Sequence, residues 1–168
     1  MWTYHQRNIN IHGVSIGAFS VRDKPRNTNT NGLKLELVGV GLLIPLIPES
    51  PVAQSDSVFM KYQHEPISER INGISLSATG TACDCFANGI SVGLVGQIQY
   101  KVNGISVSGF GNFAQIHNGI QISFSNESYK MSGLQIGAFN KSHRTKGIQI
   151  GFWNINEKRK LPIINWSF

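Results

Sequence analysis

Two cysteines, six prolines and nine acidic residues in 168 positions set the first limits on this chain. Cys83 and Cys85 are too few for a disulfide framework. One intervening residue also puts two strand side chains on one face but too far apart for a relaxed bridge. The expectation is two small, half-buried residues. The most apolar stretch, Leu37 to Ile47, is broken by Gly39, Gly41 and Pro45 and is too short for a transmembrane helix. Charged residues make up only 14% of the chain and there are 18 glycines. That balance favours β-structure with many tight turns over helices.

The shortage of acidic groups also bears on chemistry. None recurs as a spaced pair within the repeats described below, so paired-carboxylate catalysis has no candidates. The five histidines, His5, His12, His64, His117 and His143, show no metal-ligand spacing. No nucleophile elbow and no phosphate-loop lysine occurs. The expectation is a protein that is not an enzyme and has no cofactor and no metal. The first residues, Met1-Trp2-Thr3-Tyr4-His5-Gln6-Arg7, do not read as a signal peptide.

What the chain does have is one short phrase repeated six times. It reads Asn72-Gly73-Ile74-Ser75-Leu76, Asn88-Gly89-Ile90-Ser91-Val92 and Asn103-Gly104-Ile105-Ser106-Val107. It continues as Asn118-Gly119-Ile120-Gln121-Ile122, Ser132-Gly133-Leu134-Gln135-Ile136 and Lys146-Gly147-Ile148-Gln149-Ile150. The glycines lie 16, 15, 15, 14 and 14 residues apart, the mark of a repeat architecture. Looser copies surround Gly13 and Gly32. With glycine as position zero, +1 and +3 are apolar in all six copies and +2 is Ser or Gln. That is a period of two, as in a half-buried strand.

The alternation changes phase at Asn-Gly, a strong turn signal because both residues tolerate positive φ. Gly73, Gly89, Gly104, Gly119, Gly133 and Gly147 are therefore read as structural turn residues. A turn there places −2 beside +1 and −4 beside +3 on one buried face. The outer face then carries Lys101, Ser106, Lys130, Gln135, Arg144 and Gln149. A second corner is expected near Gly96-Gln97, Gly111-Asn112, Asn126-Glu127, Asn140-Lys141 and Asn154.

The resulting fold is all-β: a short-coil β-solenoid of 14–16-residue repeats, with an antiparallel meander or a small β-barrel of hairpin repeats as the alternatives. In the solenoid, Asn72, Asn88, Asn103 and Asn118 stack at one corner, and Gln121, Gln135 and Gln149 stack on the outer face. Such amides can bond along the axis. The whole chain, 1–168, is read as one domain. A loop insertion occupies about 48–70, with Val58-Phe59-Met60-Lys61-Tyr62 as a short strand. A cap occupies about 157–168, where Trp166 and Phe168 close the end of the core and Pro162 blunts the edge.

The net charge of +6 is uneven. After position 128 there are seven basic residues against Glu157 alone. Lys141, Arg144, Lys146, Lys158, Arg159 and Lys160 are candidate contacts to an anionic partner. With no aromatic platform interleaved among them, sequence-specific nucleic-acid recognition is not expected.

The units Gly133-Leu134-Gln135-Ile136-Gly137-Ala138-Phe139-Asn140 and Gly147-Ile148-Gln149-Ile150-Gly151-Phe152-Trp153-Asn154 resemble the GLQIGLxN repeats of surface-repeat proteins of Leptospira and Bacteroidetes. The run from Asn154 to Trp166 is similar to the closing segment of the Bacteroidetes members. The resemblance covers about 71–168 well and 8–47 loosely. It implies a non-enzymatic protein of the cell envelope or surface and brings no catalytic residues. Three function classes follow: a structural or adhesive β-repeat protein binding a protein or an anionic surface, a small outer-membrane β-barrel, and an intracellular protein-binding module of immunity or regulatory type. Because no signal peptide is visible, a cytoplasmic location stays open.

Overall fold

The computed structural model describes residues 8–17, 27–47, 49–64 and 66–168. Residues 1–7 and 18–26 lie outside them. The described chain forms one nine-stranded sheet in strictly sequential order. Its strands are β1 (Asn10–Gly17), β2 (Thr28–Glu36), β3 (Glu69–Ser77), β4 (Ala82–Gly93), β5 (Gly96–Ser108), β6 (Gly111–Ile122), β7 (Ser125–Ile136), β8 (Phe139–Ile155) and β9 (Lys160–Ser167).

β1 to β8 are parallel, each one coil after the last. The meander is therefore wrong, because it needs antiparallel neighbours. The barrel is wrong too, because β1 and β9 stand at the two ends of an open sheet. The register is set by the repeat glycines: Gly13, Gly32, Gly73, Gly89, Gly104, Gly119, Gly133 and Gly147 pair in one continuous column.

Asn-Gly does not end a strand. The chain bends there while its ladder continues, so β4 to β7 run 12 or 13 residues through the corner. Gly104 has φ +136, and a Cβ built on it would lie 2.0 Å from the Gly89 carbonyl oxygen. Both the backbone conformation and the close approach exclude a side chain. The adjacent asparagines form the expected ladder: Asn88 donates to Asn72 at 2.7 Å, Asn103 to Asn88 at 2.7 Å and Asn118 to Asn103 at 2.8 Å. The second corner comes a little earlier than expected, at residues 94–95, 109–110, 123–124 and 137–138.

Each coil thus has two legs, one before the glycine and one after it. The interior between them reverses the sequence expectation. Ser75, Ser91, Ser106, Gln121, Gln135 and Gln149, at +2, are almost completely buried. Ile74, Ile90, Ile148 and Ile150, at +1 and +3, keep about 40% of their surface open. The legs are joined across the interior by side-chain hydrogen bonds. Gln99 donates to Ser91 at 2.9 Å, Ser106 to Asn112 at 3.1 Å and Ser128 to Gln121 at 2.8 Å. Along the axis, Asn126 donates to Asn140 and Asn140 to Asn154, each at 2.8 Å. A buried polar interior is tolerable only when its groups find partners, and identical amides stacked at the strand spacing supply them.

The inward −2 column closes the corner with Ile71, Ala87, Val102, His117 and Met131, all buried. The other apolar clusters lie outside the coil, against the insertion. That insertion is not a loop with a short strand. It holds a helix α1, Asp56–Gln63, and a 3-10 helix, Val40–Leu46, forms just before it in the apolar stretch. Ser55 caps α1 by accepting from the Val58 N–H, and Asp56 sits favourably in the first turn. Ile44 and Val52 pack with Phe113, while Ala53 and Phe59 pack with Tyr129 and Ile116. Glu127 anchors the segment by accepting from the Ser50 N–H at 2.8 Å. The insertion therefore roofs the outer face of the first legs.

Two further expectations are corrected. Cys83 and Cys85 form a disulfide, with Cα atoms 5.1 Å apart. A regular strand would hold residues two apart at roughly 6.6 Å. The register of β4 breaks between Cys83 and Phe86, and that irregularity brings the pair within bridging range. At the other end, Trp166 and Phe168 are 43% and 80% exposed and do not close the core. β9 turns back antiparallel on β8, covers its edge and points Asn165 and Ser167 inward.

Candidate functional site: an apolar wall with a cationic margin

The inversion of the interior puts the aliphatic repeats on the outside. The +1 column runs Val14, Leu33, Ile74, Ile90, Ile105, Ile120, Leu134, Ile148 and then Trp166 of β9. The +3 column runs Ile16, Leu35, Leu76, Val92, Val107, Ile122, Ile136, Ile150 and then Ile164. No side chain in either column is charged, and Trp166 alone carries a polar group. At the far corner, Leu94, Phe110, Phe124, Phe139 and Phe152 are all exposed. Phe139 packs edge-on against Phe124 at 5.6 Å and against Phe152 at 6.3 Å. The rings thus form a row along the solenoid axis rather than scattered contacts.

The six structural glycines all have the positive φ that the sequence implied, and they stack at the inner margin of this wall. The six basic candidates are not brought together. Lys141 is tied to the mostly buried Glu127 at 2.9 Å. Arg144 lies 3.9 Å from Asp56, both exposed, and 5.5 Å from the Tyr129 ring. Such an exposed pair is worth little. Lys146 continues the asparagine column beside Ile148. Lys158 and Arg159 are exposed in the turn between β8 and β9, and Lys160, also exposed, opens β9. Arg159 lies 4.4 Å over the Trp166 ring and donates to the Trp166 carbonyl at 2.8 Å.

Arg144 and Lys146 do share one groove of about 350 Å³ with Lys130, Ile116, Met131 and Glu157. Lys130 was not singled out as a contact residue; its signal was its place in register with Arg144. Burial works to raise the Glu157 pKa, but hydrogen bonds from the backbone and from Ser167 outweigh it and hold it below the usual range. Glu157 thus supplies a negative charge that partly balances the groove. His117 is fully buried with neither ring nitrogen hydrogen-bonded, and burial lowers its pKa to about 4. Among the described residues, no group of three or more His, Cys, Asp or Glu side chains could hold a metal ion. No helix among them is long and apolar enough to cross a membrane.

The chain was compared with protein-family models, with curated proteins and with solved structures, and nothing matches it.

Proposed function

We propose that the protein is a non-catalytic β-repeat scaffold of the bacterial envelope or surface, which acts by binding through its outer face. The observation that carries this reading is how the repeat is used. Its polar members hydrogen-bond to one another inside the coil, as in the Gln121–Gln135–Gln149 ladder, while its apolar members form an outer wall. A contiguous exposed apolar surface of this kind marks an interaction site. The resemblance of the repeats to bacterial surface-repeat proteins supports the location. The test is fractionation of the native host with an antibody against the folded chain. Recovery with the envelope, or accessibility on intact cells, is the expected result. Recovery in the cytosol alone would favour the intracellular binding module instead.

A further inference from the structure

The two outer faces of the solenoid are treated differently by the chain itself. The face formed by the first legs is roofed by the insertion, which buries Phe113 and Tyr129. The face formed by the second legs has no such roof among the described residues. We propose that this second face seats on an anionic lipid bilayer, its aliphatic columns entering the acyl region and its basic margin meeting phosphate headgroups. This deepens the scaffold reading above and rests on it.

Three observations favour lipid over a protein partner. The first is hydrogen bonding. A protein interface carries about one hydrogen bond per 100–200 Å², which needs donors and acceptors on the surface. Along the two columns the wall offers none but the Trp166 indole. Its backbone groups are already paired along the continuous ladders, which is the condition for leaving water.

The second is size. Eight strand spacings of about 4.8 Å, and four residues of about 3.3 Å from +1 to the corner, give a flat area of roughly 500 Å². A standard protein interface buries about 800 Å² of accessible surface on each partner, so a second copy docked on this wall would make a contact no larger than the small end of that class.

The third is the chemistry of its margins. Trp166 ends the +1 column with the Arg159 guanidinium stacked on it, and Lys158 and Lys160 flank that pair. Lys146 stands beside Ile148 at the inner margin. No acidic residue lies on the wall. Aromatic rings and basic groups at the border of an apolar surface suit the level of lipid headgroups.

The test is flotation of the full chain with vesicles of phosphatidylcholine and phosphatidylglycerol (3:1), and with pure phosphatidylcholine. The wild type is expected to float with the anionic vesicles at least tenfold more tightly. Phosphatidylcholine brominated on its acyl chains, mixed into those vesicles, should quench the emission of Trp166. The triple variant Ile74→Thr, Ile90→Thr, Ile148→Thr should bind at least tenfold more weakly with an unchanged far-UV spectrum. Should that variant fail to fold, Phe152→Ser, at a 76% exposed ring, should still weaken flotation at least twofold.

Absence of flotation overturns the inference. So does binding without acyl-chain quenching, which would be headgroup adsorption alone. A concentration-dependent dimer abolished by the triple variant overturns it in favour of a second copy. A chain that fractionates with the envelope but ignores both vesicles refutes this inference and leaves the scaffold reading standing. Flotation by a chain confined to the cytosol does the reverse.

Discussion

Gln135 donates its side-chain amide to Gln121 at 2.8 Å, with both residues fully buried between the two legs of the coil. Gln149 donates in turn to Gln135 at 2.7 Å. The +2 column inside this protein is therefore polar from Ser75 to Gln149, while the −2 column beside it is largely apolar. Replacing Gln135 with Leu would leave Gln149 without one of its two acceptors and Gln121 without one of its two donors. An unmet buried polar group costs about 1–3 kcal/mol, so the substitution should lower stability by at least that much in urea unfolding. Ile90→Gln, on the exposed wall of the same coil stack, should stay within about 0.5 kcal/mol of wild type. If Ile90→Gln proves the more damaging of the two, the polar interior is wrong.

His117 should make the protein sensitive to acid. Its value is about 4 in the folded chain, against an ordinary 6.5. Between those values the unfolded chain binds the proton and the folded one does not, so stability rises with pH across the window. The contribution is complete above about 6.5 and is lost as pH falls through about 4. The lost part amounts to roughly 3 kcal/mol. His117→Met, matching the buried Met131 beside it in register, should remove this component. Urea midpoints of wild type and variant should diverge between pH 7 and pH 4.5; parallel pH profiles would show that His117 is not the responsible group.

Gly119→Ala should destabilise by several kcal/mol. Gly119 has φ +131, and a Cβ there would sit 2.0 Å from the Gly104 carbonyl oxygen. Strain at such a backbone conformation costs about 1–3 kcal/mol before any clash is counted. Gly13, at the first coil, also has positive φ but nothing within 4 Å of a built Cβ. Gly13→Ala should therefore be clearly milder in thermal unfolding, and equal losses at the two sites would argue against the stacked corner.

Deletion of Leu161–Phe168 should free the β8 edge from Gly147 to Asn154, which this part of β9 now pairs. An exposed ladder invites pairing with another chain. Size-exclusion chromatography with light scattering should show self-association of the truncated protein. A truncated chain that stays monomeric and equally heat-stable would show that β9 is not a cap.

Much of the architecture could be read without coordinates. Glycines spaced 14 to 16 residues apart imply one coil per repeat, and the coils do stack in that register. The corner asparagines bond to one another as their spacing suggested. The helix in the insertion was harder to see. Val58, Phe59 and Tyr62 favour strand, and the opposing signal was the capping residue Ser55 followed by Asp56. The disulfide was hidden because it depends on a local register break in β4 that no spacing rule reports.

The sequence by itself determined the period and the obligatory glycine at each corner, because those follow from chain geometry within one repeat; that successive coils pair in parallel rather than as a meander was decided by the structure. Which side of each strand faces inward was decided only by the tertiary structure. A period of two separates Ile148 from Gln149 but does not say which is inside. The answer depends on what each meets across the coil and along the axis. Gln149 finds the Gln135 amide and the Ile155 carbonyl there. Phe113 and Tyr129 instead find their apolar partners outside the coil, in an insertion tens of residues away in the chain.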